Sequence, residues 1–120
     1  MEKITHFRQL HAWQESHRLV LMVYQVTQGF PGEERFGLVS QMRRAAVSVP
    51  ANIAEGFKRL GIQDKMRFYN VAEGSLEELK YYLILAQDLG YLPSNEEWMA
   101  QAETAGRLLN GPIESTRHRK

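Results

Sequence analysis

Apolar side chains recur at intervals of three and four along most of this chain, and no stretch shows the two-residue period of a strand. Four helical segments separate on that basis. The first spans about Leu10 to Gln28: Leu10, Trp13, His17, Val20, Tyr24 and Thr27 form one stripe, and Leu19, Val23 and Val26 form a second beside it. Two stripes predict a helix buried on more than one side. Gly29-Phe30-Pro31-Gly32 then breaks the pattern. The second segment, about Glu33 to Arg59, opens on two glutamates suited to the positive end of a helix dipole. Its stripe is Phe36, Val39, Met42, Ala46, Val49, Ile53 and Phe57. The third runs from about Ile62 to Leu89 on Phe68, Ala72, Ser75, Leu79, Tyr82 and Ala86, widened by Leu76 and Leu83, and Gly90 is placed to stop it. The fourth spans about Asn95 to Asn110. Ser94-Asn95-Glu96-Glu97 reads as a capping box, with Pro93 and Trp98 at the staple positions. Trp98, Ala102, Ala105 and Leu109 point inward, and Gly111-Pro112 ends the pattern before a basic tail over residues 111–120. Short connections favour antiparallel neighbours, so the expectation is an all-α, up-down-up-down four-helix bundle forming one domain over residues 1–120.

The run Ser48-Val49-Pro50-Ala51-Asn52-Ile53-Ala54-Glu55-Gly56 is the least ordinary part of that pattern. Proline inside a helix removes a hydrogen bond and costs about 3 kcal/mol. The apolar stripe keeps its phase across Pro50, which predicts one kinked helix. The rival reading makes Ser48 an N-cap and puts Pro50 in the first turn of a new helix. Gly74 sits inside the third segment beside Ala72 and Ser75, a flat patch that another helix can approach closely.

Composition narrows the class. The 120 residues contain no cysteine, which excludes disulfides, thiol catalysis and cysteine-held zinc and fits a reducing compartment. The start, Met1-Glu2-Lys3-Ile4-Thr5-His6, lacks the apolar core of a signal peptide, and the longest apolar run, Leu19 to Tyr24, is far short of a membrane span. The expectation is a cytoplasmic protein without a membrane partner. Fifteen basic and 14 acidic side chains leave a net charge of +1, less basic than a dedicated nucleic-acid binder, so any such role depends on local clustering.

With the helices placed, five motifs stand in order: Phe7-x-x-Leu10-x-x-Trp13-Gln14; Phe30-Pro31-x-x-Glu34-x-Phe36-Gly37-Leu38; Ser40-Gln41-x-Arg43-Arg44-Ala45; the nine-residue run at Ser48 to Gly56; and Ala72-x-Gly74-Ser75-x-x-Glu78-Leu79. Together they closely resemble the four-helix-bundle family whose founding members are encoded by intervening sequences within bacterial large-subunit ribosomal RNA genes. The resemblance covers about Phe7 to Leu92 and implies a left-handed bundle assembling into a ring, commonly a homopentamer. It also implies distant kinship to the accessory proteins of diversity-generating retroelements, basic pentameric barrels that bind RNA and a reverse transcriptase. Two departures stand out: Gly61 occupies a position where a serine often caps the third helix, and the chain is nearly neutral.

Several constellations bear chemistry. Arg43-Arg44, reinforced by Lys58, Arg59, Lys65 and Arg67, forms a candidate nucleic-acid contact, since planar guanidiniums match phosphate oxygens. The structural reading pairs the arginines with carboxylates such as Glu55, Glu77 and Glu78, within or between subunits. Asn52 and Glu55 share a helix face. Without a nucleophile or metal beside it, Glu55 makes a poor catalytic base. The favoured reading has Asn52 satisfy backbone groups freed by Pro50 while Glu55 pairs with an arginine. Ser48, Pro50, Asn52, Glu55, Gly56 and Gly74 are therefore read as structural. His6, His11 and His17 lack metal-ligand spacing, and His17 is expected in the helix seam. Trp13, Tyr24, Phe68, Tyr69, Tyr81 and Tyr82 are read as core or interface rather than base-stacking platforms. Tyr81, Ile84 and Leu85 lie off the main seam, a second apolar stripe that a monomer leaves exposed, which predicts self-association.

These readings converge on a non-enzymatic oligomeric scaffold or accessory protein, without metal or cofactor, with itself and RNA or DNA as candidate partners. The alternative is an interaction module that recruits a partner enzyme such as a reverse transcriptase.

Overall fold

Four helices pack in circular order in the computed structural model, each against its chain neighbours and the first against the last, and no strand occurs among the described residues. The structure describes residues 3–119, so Met1 and Glu2 of the chain start and Lys120 of the basic tail lie outside it. Helix α1 is His11–Thr27, α2 Leu38–Lys58, α3 Ile62–Asp88 and α4 Glu96–Arg117, with short 3-10 turns at Phe7–Gln9 and Gly32–Glu34. The bundle is elongated, 49 × 25 × 19 Å. Its centre is filled by Leu19 and Val23 of α1, Met42, Val49 and Ile53 of α2, Leu79 and Leu83 of α3, and Leu109 of α4.

Helix α2 runs unbroken through Pro50, as the unchanged phase of its apolar stripe predicts. Pro50 and its neighbours Ala46, Val49 and Ile53 are buried, so packing offsets the missing backbone bond. The expected relief of Pro50 by Asn52 needs correcting. The carbonyl that proline deprives of its donor is that of Ala46, four residues back. Asn52 Nδ2 instead donates to the Ser48 carbonyl (2.7 Å) and the Ser48 hydroxyl (3.0 Å). The Ser48 and Ser75 hydroxyls share a 2.7 Å hydrogen bond across to α3.

Close approach of α2 and α3 occurs at Gly56, not at Gly74. A Cβ on Gly56 would lie 2.6 Å from Tyr69 Cε1 and 3.2 Å from Phe68 Cβ, whereas one on Gly74 meets nothing within 4 Å. Gly74 is exposed, and no helix of this chain covers it.

Other departures have local causes. Helix α2 begins at Leu38 because Glu33 and Glu34 belong to a 3-10 turn, and the Leu38 amide donates to Glu34 Oε1 at 3.2 Å. Glu34 thus still serves the start of α2, from outside it. Phe36, expected in the seam, lies before the helix and is 87% exposed. On α1 the buried stripe is Ala12, Ser16, Leu19, Val20, Val23 and Thr27, and His17 is exposed, stacked on Trp13 with ring centres 5.0 Å apart. The capping box at Ser94 does not form as expected. Asn95 is the N-cap, which makes Trp98 rather than Glu97 its third helical residue, and Asn95 Nδ2 donates to the Leu83 carbonyl (3.4 Å). Ser94 Oγ still accepts from the Glu96 amide at 3.2 Å. Helix α4 does not stop at Gly111-Pro112: burial of Ile113 and Thr116 carries it through Pro112 to Arg117. Gly90 closes α3 with φ +82°, a conformation only glycine adopts freely, while the Tyr91 amide donates to the Ala86 carbonyl (2.9 Å).

Candidate nucleic-acid interface

The six basic residues singled out from the sequence fall into two groups. Arg43 has a structural place at the C-terminus of α1. Its Nε donates to the Thr27 hydroxyl (3.0 Å), its Nη2 to the Tyr24 carbonyl (3.2 Å), and its guanidinium covers the Tyr24 ring at 4.4 Å. A cation there complements the negative end of the helix dipole. Within the chain its partners are thus Thr27 and Tyr24 rather than Glu55, Glu77 or Glu78. Arg44, one residue on, is exposed and makes no hydrogen bond or ion pair with the described residues.

The other four meet at the connection between α2 and α3. Lys65 Nζ donates to the carbonyls of Gly56 (3.0 Å) and Phe57 (2.7 Å), capping the last turn of α2. Burial and, secondarily, the charge of Arg119 hold the Lys65 ammonium below its ordinary pKa. Arg59 pairs with Glu55 at 2.9 Å, as read from the sequence, and its guanidinium lies 4.7 Å from the Phe68 ring centre. Arg67 approaches the same ring at 5.0 Å and stands 3.6 Å from Asp64, an exposed and weak pair. Lys58 is exposed beside them.

The antiparallel course of the helices brings in residues that sequence reasoning missed. The start of α1 and the ends of α2 and α4 lie together with the start of α3, so Arg8, Arg117 and Arg119 share an end of the bundle with Lys58, Arg59, Lys65 and Arg67. Against these stand Glu55, Asp64 and Glu114. The opposite end gathers Glu33, Glu34, Asp88, Glu96 and Glu97 with Arg35 and Arg43. There the Tyr91 hydroxyl donates to Glu34 Oε2 (2.8 Å), tying the two connections together. The near-neutral composition thus conceals one basic and one acidic end.

Asn52 and Glu55 form no catalytic pair, since each is engaged by its own neighbours, Ser48 and Arg59. His6 Nδ1 accepts from the Arg8 amide (3.1 Å), and the described residues bring no three His, Asp or Glu side chains together for a metal. Among the aromatics, Tyr69 is buried, Phe68 lies between guanidiniums, and Tyr82 donates to Glu78 (2.6 Å). Tyr81 is 57% exposed beside exposed Ile84 on α3, whereas Leu85, expected with them, is half-buried against the core. No helix among the described residues is long and apolar enough to cross a membrane.

The sequence profile of the 23S rRNA-intervening sequence protein family matches residues 8–111. Among solved structures, a protein of unknown function from the S23 ribosomal protein family of Bacteroides thetaiotaomicron aligns with a TM-score of 0.71. The alignment covers 88% of this chain and 95% of that one at 19% identity, a likeness of fold. No curated protein sequence is similar to the chain at a significant level.

Proposed function

The chain belongs to the 23S rRNA-intervening sequence protein family, and on that premise we propose that it is a non-enzymatic accessory scaffold that self-associates and meets RNA through the basic end of its bundle. The observation that carries the reading is the gathering of Arg8, Lys58, Arg59, Arg67, Arg117 and Arg119 at one end, most of them exposed. Exposed guanidiniums can take phosphate oxygens in pairs, and Arg59 and Arg67 are already oriented by the Phe68 ring. Self-association is supported by the apolar side chains Tyr81 and Ile84 that α3 leaves uncovered, and the family resemblance implies a ring of five.

Binding of a structured RNA hairpin, followed across salt concentrations, tests the first part. Affinity should fall linearly on logarithmic axes. Reversing Lys58, Arg59 and Arg67 to glutamate should reduce the slope by roughly 0.7–0.9 for each phosphate no longer neutralised. Undiminished binding in the triple variant rejects the basic end as the interface. Light scattering tests the second part: a mass of 13.9 kDa at all micromolar concentrations rejects self-association.

A protein partner is the second reading. Leu60, 91% exposed, stands in the α2–α3 connection among the cations, an apolar tip suited to a protein surface.

A further inference from the structure

The basic end also holds a cavity of about 550 Å³, within the range of small-molecule sites. Its walls come from the segment before α1, both ends of the α2–α3 connection and the last turns of α4. Leu10, Phe57, Leu108 and Pro112 make them apolar. Lys65 and Arg119 supply positive charge, and no Asp or Glu lines the cavity among the described residues. Tyr69 is only 2% exposed and Thr116 is similarly buried, yet neither hydroxyl has a hydrogen-bond partner among the described residues. Neither is sealed from solvent, since Ser16 Oγ is the one such orphan among them. Two hydroxyls on buried residues are therefore available at the cavity wall. A recess with a half-buried ammonium on its wall, an exposed guanidinium at its mouth, two unbonded hydroxyls and no Asp or Glu among its described lining offers donors suited to an anion.

We propose that this recess binds a small amphiphilic anion, an apolar body carrying one carboxylate or phosphate, with the head group at Lys65, Arg119 and the Tyr69 hydroxyl. The apolar body lies along Leu108 and Pro112. Two donations to the α2 carbonyls leave Lys65 Nζ one further proton for the head group. The lowered pKa of Lys65 agrees with a partly buried cation that stands beside Arg119. A bare phosphate is excluded in practice, because its hydration is lost against apolar walls without compensation. On the proposed function RNA phosphates meet the exposed rim around Lys58, Arg59 and Arg67, none of which lines the recess, so the two sites share only Arg119.

Isothermal titration of the full chain with decanoate and with decyl phosphate, each below its micelle threshold, is the test. Inorganic phosphate and decyltrimethylammonium serve as controls. Either anionic amphiphile should bind, their ratio reporting which head group is preferred, and both controls should fail. Arg119→Gln, at an exposed position outside the core, should weaken binding about fivefold. Leu108→Trp should abolish it by filling the recess, with circular dichroism checking the fold. The proposal is overturned if neither amphiphile binds the folded chain. It is equally overturned if decyltrimethylammonium or inorganic phosphate binds as tightly, or if Arg119→Gln leaves affinity unchanged.

Discussion

Replacing Gly56 by alanine should destabilise the bundle, while the same change at Gly74 should stabilise it. Both glycines lie inside helices, where alanine gains roughly 0.5–1 kcal/mol from backbone entropy. At Gly74 nothing opposes that gain, because the new methyl group meets no atom within 4 Å. At Gly56 the methyl would stand 2.6 and 2.9 Å from Tyr69 Cε1 and Cδ1. The Tyr69 ring is buried against α2 there, so either the ring or the two helices must shift. Overpacking of this kind costs about 1–3 kcal/mol, and distances this short point to its upper half. The net expectation is a loss of about 1–2 kcal/mol for Gly56→Ala and a gain of up to about 1 kcal/mol for Gly74→Ala. Urea denaturation at fixed protein concentration reads both as shifts in midpoint at constant slope. For a chain of this size each kcal/mol moves Tm by about 4 °C. A Gly56→Ala variant as stable as the parent would refute the argument from packing. A loss at Gly74→Ala would show that something covers that position and that the surface there is not open.

Arg43→Ala should cost about 1–2 kcal/mol by removing charged hydrogen bonds at the end of α1, whereas Arg44→Ala should stay within about 0.5 kcal/mol. Equal losses in thermal or chemical denaturation would contradict the division between these neighbours. Ser16→Ala should be neutral or stabilising by about 1 kcal/mol, since its buried hydroxyl has no partner among the described residues. A clear loss of stability would mean the hydroxyl is bonded. Tyr91→Phe probes the acidic end through pH. The Tyr91 hydroxyl, ahead of the Leu38 amide, holds the Glu34 carboxyl below its ordinary 4.5, and Glu34 in turn holds Tyr91 above its ordinary 10.0. A lowered carboxylate stabilises above 4.5 and loses that contribution as pH falls through its folded value. A raised phenol stabilises below 10.0 and loses its contribution as pH rises through its folded value. The stability difference between parent and Tyr91→Phe should therefore form a plateau at neutral pH and decline on both sides. A difference that is flat into acid would exclude the hydrogen bond as its source.

The number, order and approximate extent of the helices were legible because burial recurs with the helical period. Even the continuity across Pro50 could be read from the unbroken stripe. The same reasoning failed where an apolar residue sat in phase but outside the element: Phe36 extends the α2 stripe backwards, yet the 3-10 turn before Leu38 leaves it in solvent. At Pro112 it errs in the opposite sense: the local stop signal predicts an end there, although Leu109, Ile113 and Thr116 continue the spacing of three and four. Tertiary burial outweighs the local signal there. The roles of Arg43 and Gly56 depend on partners 12 to 19 residues away, which no local pattern reveals. The basic end was half visible. The residues around 58–67 stood together in sequence, but Arg8 and Arg119 join them only through the antiparallel course of the chain.

The separation of charge along a 49 Å rod changes how such a nearly neutral molecule moves near a polyanion. With a net charge of +1 it feels little pull, but it feels a torque that turns the α2–α3 connection forward. Screening over about 8 Å at physiological salt confines that alignment to the final nanometre of approach. First touch is then made by the tip, and the long flanks stay uncovered.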